Sequence, residues 1–302
     1  MVSVVIPAHN EAGVIRRLLT GLLAQAEPGE FEIWVVANGC TDDTASIAAG
    51  FGQDVNVLIS PHPNKHAAMR LGDENAKSFP RLYVDADVEL EAASVRALAA
   101  ALDSPSTLAV APERAWPSAT ATSTSTSTST STATNTNTHR PWTVRWFYDV
   151  WHQLPTVRTS LWGRGVVGVS REGYDRLRAL PPLLGDDLAA SLTFSADERR
   201  VVPEATAVVH PPRSLSALLK IRTRALVSTA QAADDSQLAA TSDSERTSWS
   251  DLRAVARAAP IRNTPKVAWF LAITVVTRLR ARRAVRAGDF KTWHRDDTSR
   301  RP

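Results

Sequence analysis

The chain has 302 residues, of which 43% are hydrophobic and 22% charged, so it has room for one large domain or two modest ones and is neither fibrous nor disordered in composition. Its single cysteine, Cys40, excludes an intramolecular disulfide and a cysteine-built zinc site. The net charge of +4 is concentrated at one end: residues 278–302 carry nine Lys/Arg against three Asp/Glu, which leaves the remainder near −2. Such a tail is either solvated or turned toward an anionic membrane surface, and no nucleic-acid partner is expected. The first residues run straight into Val2-Ser3-Val4-Val5-Ile6, without the basic and small-residue features of a secretory leader.

The first third of the chain alternates strand-like and helix-like segments. Apolar runs at Val2–Ile6, Phe31–Val36, Val55–Ile59, Leu82–Val84 and Leu108–Ala111 predict strands. Between them, Glu11–Gln25 places Val14, Ile15, Leu18, Leu19, Leu22 and Leu23 at helical spacing. Asp42–Ala49, with Thr41 as its N-cap, Lys65–Lys77 and Ala92–Leu102 complete the helices. Strand–helix alternation predicts an α/β architecture, a mainly parallel sheet with helices on both faces. Ligands in such sheets bind at the carboxyl ends of the strands, so the loops after Ile6, Val36, Ile59 and Val84 are the candidate site.

The last of these loops holds Tyr83-Val84-Asp85-Ala86-Asp87. Side chains two apart on a strand share a face, so Asp85 and Asp87 are expected to converge just past the strand end. Such a pair is either a solvated turn or a seat for a hard divalent cation holding a diphosphate. A second acidic pair, Asp186-Asp187, follows the turn Leu180-Pro181-Pro182. It either supplies a carboxylate base above the cation or caps a helix over Leu188–Leu192. His210 ends a strand-like run, Ala207–Val209, and an imidazole suits an open position on such a cation. Lys220, Arg222 and Arg224 are spaced two apart, as diphosphate partners or as a helix flank.

Ser118–Thr138 alternates Ser and Thr without core-forming residues and is expected to be a disordered surface insertion. Pro141–Trp162 contains Trp142, Trp146, Phe147, Tyr148, Trp151 and Trp162 and predicts a helix packed on the sheet. Val267–Thr277 is apolar, too short to span a bilayer, and trailed by Arg278, Arg280, Arg282, Arg283 and Arg286. It is either a terminal core helix or a surface helix lying on an anionic membrane.

Taken in order, these pieces resemble the family 2 glycosyltransferases, inverting enzymes with a GT-A fold. Val4-Val5-Ile6-Pro7-Ala8-His9-Asn10-Glu11 is similar to that family's VVIPxxNE opening, and Ala37-Asn38-Gly39-Cys40-Thr41-Asp42-Asp43-Thr44 stands where it carries DDGSTDDT. Asn64-Lys65-His66-Ala67-Ala68-Met69-Arg70 looks like its NxGxAxAxN segment. Asp85-Ala86-Asp87 looks like its metal-binding DxD, Gly163–Ser170 like its acceptor-side glycine segment, and Asp186-Asp187 like its ED pair. The likeness runs from Val2 to about Arg224.

The resemblance implies transfer of one sugar from a nucleotide-diphosphate sugar to an acceptor hydroxyl, with inversion. Asp87 and Asp85 would hold Mg²⁺ or Mn²⁺, His210 would complete the metal shell, and Arg222 or Arg224 would reach the diphosphate. Pro7, Ala8, Asn10, Glu11, Asn38, Lys65 and Ala86 fall on donor-binding motifs. Trp162, Gly165 and Asp186 fall on the acceptor side, and Asp187 is the implied base. Three departures stand out. Asn38 replaces a common Asp, which leaves the nucleotide base open; His66 replaces a glycine; and there is no QxxRW motif, which with the lack of channel-forming spans argues against processive synthesis. The implied organisation is a catalytic domain over 1–225, with the insertion at 118–139, and a helical extension over 226–302. The implied setting is cytoplasmic, in cell-envelope glycan synthesis, peripheral on the inner membrane face through 267–286, with a small or lipid-linked acceptor. A sugar nucleotidyltransferase and an inactive sugar-nucleotide-binding relative are the competing readings. The first normally has a phosphate loop rich in glycine after its first strand, which Pro7–Glu11 lacks.

Overall fold

The computed structural model describes residues 1–117, 141–180, 186–234 and 248–287. The insertion expected at 118–139, Gly185 and the far end of the basic tail lie outside the described residues.

Eight strands form one sheet in the order β3-β2-β1-β4-β7-β6-β8-β5. They are β1 (Val2–Ala8), β2 (Phe31–Asn38), β3 (Val55–Ser60), β4 (Arg81–Val84), β5 (Val88–Leu90), β6 (Ala109–Ala115), β7 (Val166–Val169) and β8 (Arg199–Val209). The half built from β3, β2, β1 and β4 is parallel throughout. Strand β7 then runs antiparallel between β4 and β6, and β5 pairs antiparallel with β8 at the far edge. This is the expected α/β sheet, and its five sequence-predicted strands are all present.

The parallel half forms because its strands are buried on both faces, which requires unbroken apolar runs. All seven residues of β1 are buried. On one face helix α1 (Ile15–Leu23) buries Ile15, Leu18, Leu19 and Leu22, a stripe at helical spacing. Helix α3 (Lys65–Asn75) lies close to β1 and β2, and a Cβ at Gly72 would overlap the Val5 side chain. Between them comes α2 (Thr44–Ala49), and α4 (Ala92–Ala101) follows β5. The expected N-cap Thr41 is not one. Asp43 holds that position without a side-chain cap bond, Asp42 before it accepts from the Thr44 and Ala12 amides at 3.1 and 3.0 Å, and the Thr41 amide donates to Asn10 Oδ1 at 2.7 Å.

The aromatic segment departs from expectation. Helix α5 (Trp142–Trp151) and α6 (Pro155–Thr159) do not belong to the main sheet cores. They share a separate apolar cluster with α9 (Leu215–Asp234), α10 (Trp249–Ala258) and α11 (Pro260–Arg286). Phe147 stacks on Phe270 with centroids 4.9 Å apart, and Trp269 Nε1 donates to the Thr143 carbonyl at 2.7 Å. Helix α9 runs unbroken across residue 225, so the boundary expected there falls inside a helix. In α11, Asn263, Val267, Phe270, Ile273, Thr277 and Ala281 form one buried stripe, which makes it a core helix along that face. The remaining helices are α7 (Arg171–Arg178) and α8 (Asp186–Thr193). Among the described residues no helix is long and apolar enough to cross a membrane.

Candidate active site

The candidate site lies where the carboxyl ends of β1, β2 and β4 meet the loop before β7. In parallel sheets backbone groups at that edge lack ladder partners, and the loops there are free to carry ligand contacts. The turns after β1 and β2 lock together. Asn38 is 3% exposed and its Nδ2 donates to the Ala8 carbonyl at 2.8 Å, while His9 Nδ1 donates to the Asn38 carbonyl at 2.6 Å. Asn10 has φ of 52°, a left-handed geometry that Asn tolerates. The amide of buried Glu11 donates to Thr44 Oγ1 at 2.8 Å. Pro7, Ala8, Asn10, Glu11 and Asn38 are thus brought together in one double turn. The side-chain amide of Asn38 is at least half committed to the fold.

Strand β4 ends at Val84, so Asp85-Ala86-Asp87 is a turn and strand alternation does not govern it. Asp85 accepts from Lys65 Nζ at 2.6 Å, reaching toward α3. Asp87 lies in the field of Arg114, at the end of β6, and its carbonyl accepts from Arg17 at 3.4 Å. Lys65 thus stands against Asp85, while Asp87 feels the charge of Arg114. The Asp85 amide donates to the Gly165 carbonyl at 2.8 Å, which pins this turn to the loop before β7. Pro7, Lys65, Met69, Tyr83, Asp85 and Gly165 line a pocket there together with residues of β7 and α8.

Gly165 is required by this geometry. Its φ of 71° is left-handed, and a Cβ would run into Val88 and approach Asp85. Gly165→Ala is expected to cost about 1–3 kcal/mol through backbone strain and overpacking, and to weaken nucleotide binding by moving the Asp85 turn. Thermal unfolding and nucleotide titration check this, and an unchanged melting temperature would contradict it. Neighbouring Arg164, 4% exposed, holds the same loop through bonds to the carbonyls of Ser160, Pro112, Val157 and Arg158 at 2.9–3.0 Å.

His210 stands just after β8 and its Nε2 donates to Glu89 Oε1 at 2.6 Å. Glu89 also pairs with Arg17 at 3.3 Å. The hydrogen bond from His210, with the charge of Arg17, holds the Glu89 carboxyl below its ordinary pKa, against the effect of its burial. Among the described residues no three His, Cys, Asp or Glu side chains cluster closely enough to hold a metal by themselves. Asp85, Asp87 and His210 therefore form no ready-made cage. The hard carboxylate oxygens of the turn still suit Mg²⁺ or Mn²⁺ in the usual manner of such cations, which take one or two carboxylates and draw further ligands from substrate phosphates.

Trp162 packs against Trp151 at 5.6 Å. Asp186 and Asp187 open α8; Ala190, one turn on, lines the pocket, and Ser191 Oγ accepts from the Leu161 amide at 2.8 Å. The side chains of Asp186 and Asp187 lie outside the description. Arg222 and Arg224 point to different sides of α9, as a two-residue step on a helix demands. Arg222 enters the aromatic cluster, 5.4 Å from the Phe147 ring and 5.9 Å from Trp151. Sequence reasoning missed Arg17, Glu89, Arg114 and His152. Only Glu89 left a signal, as a third carboxylate at the spacing of Asp85 and Asp87.

The model of glycosyl transferase family 2 matches residues 3–161, more than half of the chain and the whole stretch from β1 through the DxD turn to the loop before Gly163. The chain belongs to this family. An uncharacterized glycosyltransferase of Mycobacterium tuberculosis is 32% identical to this family 2 chain over 107 residues, 35% of the chain and 46% of that protein. Glycosyltransferase AglE of Haloferax volcanii is 33% identical over 91 residues, 28% of the chain and 30% of that protein. The matches thus span less than half the length of these curated relatives. The mannosyltransferase PcManGT of Pyrobaculum calidifontis, solved with GDP-Man and Mn²⁺, superimposes with a TM-score of 0.61 at 17% identity over 93% of this chain and 86% of that one. Glucosyl-3-phosphoglycerate synthase of M. tuberculosis, solved with Mn²⁺ and UDP, gives 0.50 at 18% identity over 76% and 78%. At such identities the likeness establishes the fold, which is GT-A.

Proposed function

We propose that this family 2 chain transfers a single sugar from a nucleotide-diphosphate sugar to an acceptor hydroxyl, with inversion at the anomeric carbon. One observation carries the reading: the Asp85–Asp87 turn is tied to Lys65 on one side and to the Gly165 carbonyl on the other. It forms one wall of a pocket at the carboxyl edge of the sheet. The double turn of Pro7, Ala8, Asn10, Glu11 and Asn38 forms the nucleotide end of the site. Asp87, with Ala86 and Asp85 in the same turn, would hold Mg²⁺ or Mn²⁺, with His210 released from Glu89 as a further ligand. A divalent cation there supplies charge stabilisation for the departing nucleoside diphosphate. Lys65 balances Asp85 and sets its orientation, and Arg224 is left as the cationic side chain of α9 nearest in role to a diphosphate partner. Asp187 takes the proton of the acceptor hydroxyl as it attacks the face opposite the leaving group. Trp162, Gly165 and Asp186 line the acceptor side.

A panel of nucleotide sugars titrated with Mn²⁺ tests this. Binding of at least one, lost with chelator, is expected. Release of pyrophosphate in place of nucleoside diphosphate would instead identify a nucleotidyltransferase, and binding without turnover on any acceptor would favour an inactive relative.

We further propose peripheral contact with an anionic membrane on the cytoplasmic face. Val275, Val276 and Leu279 are 55%, 40% and 50% exposed on α11 and interleave with exposed Arg278, Arg280, Arg282 and Arg283. An apolar and cationic surface of this kind suits acidic lipid headgroups. Co-sedimentation with vesicles containing anionic lipid, reduced by Val275→Asp with Leu279→Asp, is the expected result. Equal partition to neutral and anionic vesicles would sink the idea.

A further inference from the structure

The two arginines buried most deeply among the described residues are visibly neutralised. Arg81, 2% exposed, pairs with Asp73 at 3.1 Å. Arg164 pairs with Glu113 at 3.6 Å and spends its other donors on carbonyls. Arg114 and Arg222, partly buried, differ from them. Their guanidinium groups lie against one ring, 5.1 and 5.9 Å from the centroid of Trp151. Arg114 also stacks on Trp116 at 4.6 Å and Tyr148 at 5.4 Å. Neither makes an ion pair among the described residues, and each lies in the field of the other.

Two like charges sharing an apolar cage repel, and taking each out of water costs several kcal/mol unless an opposite charge enters. Aromatic faces offset part of that cost but carry no net charge. The cage also holds spare polar capacity. The Tyr148 ring lies beside Arg114, and among the described residues Arg114 Nε and His152 Nε2 have no hydrogen-bond partner. His152 lies 4.8 Å from Trp116 and is neutral, because burial, with the charges of Arg114 and Arg164, pulls its pKa down to about 3. It therefore adds no charge of its own.

The cage adjoins the donor turn. Arg114 donates to the Gly163 carbonyl at 3.0 Å, two residues from the Gly165 carbonyl that binds the Asp85 amide. Arg114 is also in the field of Asp87. We propose that Arg114, Arg222 and Tyr148 form an anion-binding subsite that holds a phosphate-type group of the acceptor next to the donor's cation site. The proposal rests on the transferase reading above. Two guanidinium forks and a phenol hydroxyl match the donor needs of a phosphate monoester or diester. The donor's own diphosphate shares this chemistry, and the test separates the two sources.

The full chain is saturated with Mg²⁺ and whichever of UDP or GDP it binds, then titrated calorimetrically with methyl phosphate. Binding to the wild-type complex is expected. Arg222→Gln and Arg114→Gln are expected to weaken it roughly tenfold or more, the loss of one charge-assisted bond, and in Arg222→Gln nucleotide affinity is expected to change less than about twofold. Arg222→Lys, which keeps the charge and the fold, is expected to fall between. Methyl phosphate affinity that is absent, or equal in wild type and variants, would overturn the subsite. Displacement of methyl phosphate by nucleotide, together with weakened nucleotide binding in Arg222→Gln, would assign the cage to the donor and overturn the acceptor role. If neither nucleotide binds, the donor reading fails separately, and the same titration on the free protein still decides the subsite.

Discussion

Asp87→Ala is expected to lower sugar transfer by about 10²–10³, the loss typical when one preorganised electrostatic partner of a leaving group is removed. The same variant is expected to bind nucleoside diphosphate equally with and without Mn²⁺. Asp85 has Lys65 against it at 2.6 Å, so its charge is already partly answered within the protein. Asp87 lies in the field of Arg114 across the site. In this reading Asp87 therefore contributes the larger share of the cation's binding, and Asp85→Ala is expected to fall short of the Asp87 effect. Metal titrations of wild type and Asp87→Ala that superimpose would remove the metal role from this turn.

Asp187→Asn is expected to reduce turnover by about 10²–10⁴, the usual contribution of a positioned general base, while nucleotide affinity stays the same. Asparagine is the right replacement because Asp187 opens helix α8. A negative charge at a helix N-terminus stabilises it by about 0.3–1 kcal/mol, and Asn serves nearly as well as Asp in the first positions. The fold is thus preserved and the lost turnover reports proton transfer. Near-normal transfer by the variant would take the base role away from Asp187. A matching loss in nucleotide affinity would point to a structural part for it instead.

The two variants act on opposite sides of the transferred sugar, which makes their combination informative. The cation site lowers the cost of departure and the base lowers the cost of attack. Both act in one displacement step, so their losses are not expected to add in full.

Some of this arrangement is legible in the sequence. The runs at Val4–Ile6, Phe31–Val36 and Val55–Ile59 identify themselves because a strand covered on both faces tolerates few polar residues. Helix α1 identifies itself by the spacing of Ile15, Leu18, Leu19 and Leu22, and the Asp85–Asp87 turn by its position after an apolar strand. The antiparallel half was harder to read. Val88–Leu90 is three residues long, and Val166–Val169 reads as a glycine segment before it reads as a strand. Their pairing partners are distant: Val88 faces Val209, and Tyr83 faces Val167. No local pattern encodes a partner some 80 or more residues away.

The sequence by itself determined the family, the α/β class and the place of the acidic turn, because these follow from local hydrophobic period and from motif order. Only the tertiary structure decided what the charged side chains do. It set Lys65 against Asp85 and Asp87 in the field of Arg114, gave His210 to Glu89, moved the aromatic segment from the sheet to the C-terminal helices, and brought Arg114 and Arg222 to the same Trp151 ring. The physical reason is range: backbone periodicity is settled within a few residues. The partner of a charge depends on which distant elements the packed sheet brings within a few ångströms of it.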